Sequence, residues 1–196
     1  YESSKWGNWW SGWVRAFDGK FGFERPGGGD LQLSLAGLPD VVTEKTSNVS
    51  IPAFLKKKWQ MENESTGYGP WMLPAANNLR SDNLGAPVDY IIKWLAAWVR
   101  EFGIDGFRCD TAKHVEKSRW KQLKDAAAAA LTAWRNDTSR STDSEAKSWG
   151  DSFWMTGEDF GHGLNLSSTY YTEGGFDSMI NFSFNGSSGG TGRTPT

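Results

Sequence analysis

Gly103-Ile104-Asp105-Gly106-Phe107-Arg108-Cys109-Asp110-Thr111-Ala112-Lys113-His114 is an apolar run that closes on an arginine, a carboxylate, a lysine and a histidine. Residues two apart on a strand point to the same side, so Arg108 and Asp110 share a face and the guanidinium can hold the carboxylate ionised. An ionised, oriented aspartate can act as a nucleophile. A salt-bridged strand end that only supports a fold carries the same pattern. Phe153-Trp154-Met155-Thr156-Gly157-Glu158-Asp159-Phe160-Gly161-His162-Gly163 repeats it, an aromatic-rich run ending on an acid. Partial desolvation there raises the pKa of Glu158 and keeps a proton available, and one low-pKa acid with one high-pKa acid suits glycosidic cleavage.

Outward from the first stretch, Pro87 opens a helix in which Val88, Ile91, Ile92, Leu95, Val99 and Phe102 recur at helical spacing, with Asp89 in the first turn and Gly103 ending it. It feeds directly into the strand from Ile104 to Cys109. After His114 a second helix, from about Ser118 to about Arg135, carries Trp120, Leu123, Ala127, Leu131 and Trp134 as one stripe, and its alanine run favours helix strongly. The polar stretch 136–151 reads as a surface loop before the strand that delivers Glu158. A short helix around Ser167 to Tyr171 and a strand from Phe176 to Phe182 follow. Helices alternating with strands in this way build a parallel sheet, so the fold class is α/β.

The first thirty residues read as a long loop rich in Trp and Gly. Trp6, Trp9, Trp10 and Trp13 could stack on sugar rings or serve as buried anchors of a segment without its own core. Gly27-Gly28-Gly29-Asp30 lacks the Gly-Lys-Ser/Thr of a phosphate cradle. Leu31-Gln32-Leu33-Ser34-Leu35 alternates with period two and predicts a short strand. Residues 43–86 show no sustained periodicity apart from the amphipathic Phe54-Leu55-Lys56-Lys57-Lys58-Trp59, and read as an insertion.

The chain has 196 residues with 21 basic and 23 acidic side chains, and no charge block exceeds Lys56-Lys57-Lys58. That argues against nucleic-acid binding, and no apolar stretch is long enough to span a membrane. The single cysteine, Cys109, excludes an internal disulfide. Six of ten asparagines (Asn48, Asn63, Asn136, Asn165, Asn181 and Asn185) lie in Asn-x-Ser/Thr sequons, a weak pointer to a secretory route.

Gly106 to His114, together with Gly157-Glu158 and Phe176-Asp177-Ser178-Met179-Ile180-Asn181-Phe182, resembles the α-amylase family, glycoside hydrolase family 13, nearest in appearance to its bacterial periplasmic members. Leu38-Pro39-Asp40 resembles the short motif of the domain inserted into that family's barrel. The resemblance extends over about residues 30 to 184 and implies a (β/α)8 TIM barrel. Residues 87–184 would hold about strands 4 to 6 as the central part of the catalytic barrel, with a loop-rich inserted domain at 1–86 and a flexible polar end at 185–196. A complete barrel of this kind takes about 250 residues, so the expectation is a partial barrel.

By the same resemblance Asp110 is the nucleophile, Glu158 the acid and base, and Arg108 the residue that orients Asp110. Lys113 and His114 match positions that contact the sugar on the leaving-group side. A calcium ion is implied, held by Asp40 and the backbone carbonyl of His114. His162, between two glycines, either lines the cleft as a substrate contact or caps a turn. Cys109 stands where the family more often has an aliphatic residue. The implied substrates are α-1,4-glucans such as starch or maltooligosaccharides, and the implied compartment is periplasmic or extracellular. The family's later His-Asp, which supplies a third acid, is not in this sequence, so this stretch alone is expected to be poorly active. Two alternatives stay open: a non-catalytic carbohydrate-binding or transporter-associated barrel relative, and a transglycosylase or α-glucosidase of the same family.

Overall fold

The computed structural model describes residues 9–10, 12–15, 29–32, 40–64, 85–139, 144–161 and 165–182. Near the N-terminus β1 (Val14–Arg15) and β2 (Asp40–Val41) pair antiparallel, which sets Arg15 opposite Asp40. They are followed by helices α1 (Ala53–Glu64) and α2 (Pro87–Phe102), strand β3 (Gly106–Cys109), helices α3 (Lys117–Asn136) and α4 (Ser144–Ser148), strand β4 (Trp154–Gly157), helix α5 (Thr169–Thr172) and strand β5 (Ser178–Met179). Strands β3, β4 and β5 form a parallel sheet in chain order, with α3 and α5 in the crossovers. Parallel neighbours need such long connections, and successive βα units laid side by side give this order.

Local chemistry explains the ends of α2. Proline at the first helical position lacks an N–H that would go unpaired there, and the Asp89 carboxylate accepts a hydrogen bond from the Ala86 N–H at 2.8 Å. At the other end Gly103 takes φ +66° and donates its N–H to the Val99 carbonyl at 2.8 Å. A Cβ at Gly103 would lie 2.5 Å from the Trp134 ring, so both the turn and the packing of α3 demand glycine there.

The main core lies between the sheet and the helices α2 and α3. Val88, Ile92 and Val99 from α2 meet Leu123, Ala127, Leu131 and Trp134 from α3, over Cys109, Phe153 and Met155. These are the stripes the helical spacing predicts, except that Ile91 is only half-buried and joins neither cluster, and Phe102 is exposed, where it stacks on Trp98 with ring centroids 5.4 Å apart. A second cluster forms on the other flank of α2. There Trp13 is almost wholly buried, stacks on Trp94 at 5.9 Å, and donates its indole N–H to the Ser50 carbonyl at 2.8 Å. The anchor alternative therefore holds for Trp13, which ties the N-terminal segment to α2.

Four expectations are corrected. Leu31 and Gln32 belong to a single 3-10 turn, Asp30–Gln32, rather than a strand, and no described strand pairs with them; residues 33–39 lie outside the described residues. The stretch 43–86 contains the twelve-residue helix α1, whose Leu55 and Trp59 pack on the second cluster while its three lysines face solvent. The loop 136–151 contains α4, held by Lys147, whose ammonium bonds the Asp137 carbonyl and sits 5.5 Å from the Trp134 ring centroid. Five residues with one apolar position leave no periodicity to read. Finally, the strand drawn from Phe176 to Phe182 shrinks to Ser178–Met179, because Phe176 leaves a glycine turn to plug the core beside Trp120.

Candidate active site

Cys109 pairs with Gly157 in the β3–β4 register, so the next residue of each strand, Asp110 and Glu158, emerges at the same C-terminal edge. The ladder runs one bond further, with the Glu158 N–H donating to the Cys109 carbonyl at 2.8 Å. The Ala112 N–H then donates to the Glu158 carbonyl at 2.7 Å. Thr111, between them, adopts φ 46°, ψ 46°. A β-branched residue in the left-handed region carries strain of about 1–3 kcal/mol. That turn lets the chain rejoin Glu158 while the Asp110 side chain stands out, 68% exposed.

The Arg108 guanidinium joins both acids. Its Nη1 lies 3.1 Å from Asp110 Oδ1 and its Nη2 2.9 Å from Glu158 Oε1. A planar fork with fixed donor directions orients two carboxylates in a way a flexible ammonium cannot. The Asp110 carboxyl is held below its ordinary range, first by a hydrogen bond from Glu158 and then by the charge of Arg108. One guanidinium thus holds two carboxyl groups side by side, with Asp110 kept ionised. Cys109, pointing the other way, is buried in the core and its thiol is pushed up to about 12 by burial, so it takes no part in the chemistry.

A cleft of about 510 Å³ opens where the chain turns after β3, lined by Asp30, Gln32, Lys113, Glu116, Lys117 and Tyr170 among others; Asp110 and Glu158 do not line it. Lys113 is at its wall and its ammonium reaches Asp159, 3.8 Å away. The His114 ring is committed elsewhere, with Nδ1 2.6 Å from the Asp30 carbonyl, where it must donate. Asp40 is buried and takes a 2.7 Å bond from Arg15 Nε. Burial nonetheless raises its carboxyl pKa, and among the opposing causes are Arg15 and His114. His162 lies outside the described residues, as do Leu38 and Pro39.

Residues 39–193 match the family model of the α-amylase catalytic domain. The chain belongs to that family. Among curated proteins it is 40% identical over 186 residues to the periplasmic α-amylase of Escherichia coli (strain K12), covering 93% of this chain and 24% of that protein. It is 31% identical over 179 residues to the α-amylase of Streptomyces lividans, covering 85% of this chain and 17% of that protein. The chain therefore spans a quarter or less of the length of these relatives. Membership of the α-amylase family agrees with the parallel α/β arrangement described above. Among the described residues no helix is long and apolar enough to cross a membrane.

Three residues at this candidate site escaped the sequence reading. Thr111 gives no signal, because a β-branched residue argues against a left-handed turn. Asp159 adjoins Glu158 but is buried, only 3% exposed, which no pattern of two neighbouring acids reveals. Tyr170, which donates its hydroxyl to Asp159 at 2.8 Å, comes from α5, and its approach is a tertiary event.

Proposed function

We propose that this chain is the central part of the catalytic barrel of a retaining glycoside hydrolase acting on α-1,4-glucans, with residues 1–86 forming an inserted domain. The single observation that carries the proposal is the Arg108 fork holding Asp110 and Glu158 side by side at adjoining strand ends. An inverting enzyme needs its carboxyls roughly 6.5–9.5 Å apart to admit a water, and a retaining one roughly 5 Å. Acids held on the two nitrogens of one guanidinium belong with the second case. Two carboxyl groups gathered on one guanidinium at adjoining strand ends speak against a merely carbohydrate-binding relative.

In the first step an Asp110 oxygen bonds to the anomeric carbon as the glycosidic C–O bond breaks, and the Glu158 proton passes to the departing oxygen. In the second, Glu158 takes a proton from water, the water oxygen bonds to the anomeric carbon, and the bond to Asp110 breaks. Lys113 is assigned to the sugar on the leaving-group side, where it faces the cleft. His114 and His162 are assigned there too, the former chiefly through its backbone, since its ring is engaged by Asp30. The third acid that the resemblance implies would come from outside this stretch, so the activity belongs to the complete enzyme. A periplasmic or extracellular location follows from the same reading. Anomers followed by NMR in the complete enzyme should show the α-anomer as the first product. An initial β-anomer would overturn the mechanism.

A structural calcium ion fits the chemistry of Asp40, whose buried charge Arg15 offsets only in part. No group of three or more His, Cys, Asp or Glu side chains suited to a metal occurs among the described residues, so the remaining ligands would be carbonyls, beginning with that of His114, and groups from elsewhere in the protein. The ion would supply a fixed positive charge pinning β2 to the turn after β3. Chelation should lower the melting temperature of the complete enzyme, and Asp40→Ala should abolish the difference. An unchanged melting curve after chelation would remove calcium from the proposal.

A further inference from the structure

We infer that Asp159 is a positioning residue that holds Lys113 in place for the leaving-group side of the substrate, an inference that rests on the function proposed above. Asp159 follows the acid Glu158 directly, yet its side chain turns inward and is only 4% exposed. One carboxylate oxygen accepts the Tyr170 hydroxyl at 2.8 Å, and the other lies 3.8 Å from Lys113 Nζ. Tyr170 is itself buried against Phe176, and Lys117 sits over its ring with Nζ 5.0 Å from the centroid, so the tyrosine has no freedom to swing away. Burying a carboxylate is expensive unless it is paired and hydrogen-bonded, and an apolar residue would fill the same space without that cost. What the charge adds here is direction. Lys113 and Tyr170 both line the cleft, and Asp159 stands behind that wall, drawing the ammonium to one position on it. A lysine on a flexible four-carbon stem otherwise samples many rotamers, and fixing it in advance removes an ordering cost from substrate binding.

The test is a double-mutant cycle in the complete enzyme. KM and kcat are measured on a series of maltooligosaccharides for wild type, Asp159→Asn, Lys113→Met and the double variant, with melting temperatures alongside. Asp159→Asn keeps the shape and can still accept the Tyr170 hydroxyl. It should raise KM roughly 5–20-fold, within the range of coupling seen between contacting residues, with a smaller change in kcat. In the Lys113→Met background the same substitution should leave KM unmoved, because the lysine it positions is gone. Equal effects in both backgrounds would overturn the inference and leave Asp159 a structural residue. So would a loss of melting temperature without any change in KM. If Asp159→Asn does not fold, Tyr170→Phe carries the cycle: it should raise KM with Lys113 present and not without it, and an equal rise in both backgrounds would sink the inference. Wild-type enzyme that turns over no α-glucan would overturn the proposed function and this inference with it, an outcome distinct from an additive cycle in an active enzyme.

Discussion

Asp110→Asn in the complete enzyme should lower kcat by roughly 10⁴-fold or more, the scale on which removal of a covalent nucleophile acts in other hydrolases, while the melting temperature stays within a few degrees of wild type. Asparagine matches aspartate in shape, and the backbone bonds that set the turn, from Glu158 to Cys109 and from Ala112 to Glu158, do not involve the side chain. The amide nitrogen cannot attack the anomeric carbon, and the charge that Arg108 addresses is lost. The pH profile provides a second reading of the same residue. The Asp110 pKa is depressed in the folded enzyme, so the ionised form persists as pH falls past the ordinary value of 3.8. The loss of turnover due to Asp110 should therefore fall below that value, with activity retained above it. Near wild-type turnover by the asparagine variant would make Asp110 a structural end to β3.

Glu158→Gln should lower kcat on maltooligosaccharides by about 10²–10⁴-fold, the usual worth of a positioned proton donor. Its effect should depend on the leaving group. A sugar alkoxide needs the proton and suffers the full loss, whereas an α-glucosyl fluoride departs without one, so its first step should be nearly spared. Glutamine can still accept from Arg108 and keeps the strand-end bonds of Glu158, so the loss would be chemical rather than structural. Equal losses on fluoride and oligosaccharide in burst-phase measurements would show that Glu158 shapes the site without handling the proton.

What the sequence makes legible is whatever depends on local periodicity. The α2 and α3 stripes, apart from Ile91 and Phe102, and the strand ends at Asp110 and Glu158 follow from spacings of two or of three and four, and the Pro87 and Gly103 boundaries follow from capping chemistry. The spacing of Arg108 and Asp110 likewise foretells their ion pair. That Arg108 also reaches Glu158 is set by the β3–β4 register, fifty residues apart in the chain, and no local pattern carries it. The same holds for Tyr170 on Asp159 and Trp13 on Trp94, contacts made only when separate segments meet. Where periodicity misled, as at Leu31, no strand among the described residues pairs with it, and hydrogen bonding to a partner is what makes a strand.

The exposure of Asp110 carries one further consequence. In this stretch taken alone two thirds of the Asp110 side-chain surface is open, and an anion that keeps its water is a sluggish nucleophile. Arg108 and the Thr111 turn aim the group but do not dry it. On the function proposed above, water not already excluded by the rest of the protein would be swept off by the glucan as its rings close over the strand ends, and contacts made by remote sugar units would be spent on baring the nucleophile rather than on tighter holding. Short oligosaccharides, unable to cover the site, would meet a nucleophile still wrapped in water, and for them the chemical step itself would slow.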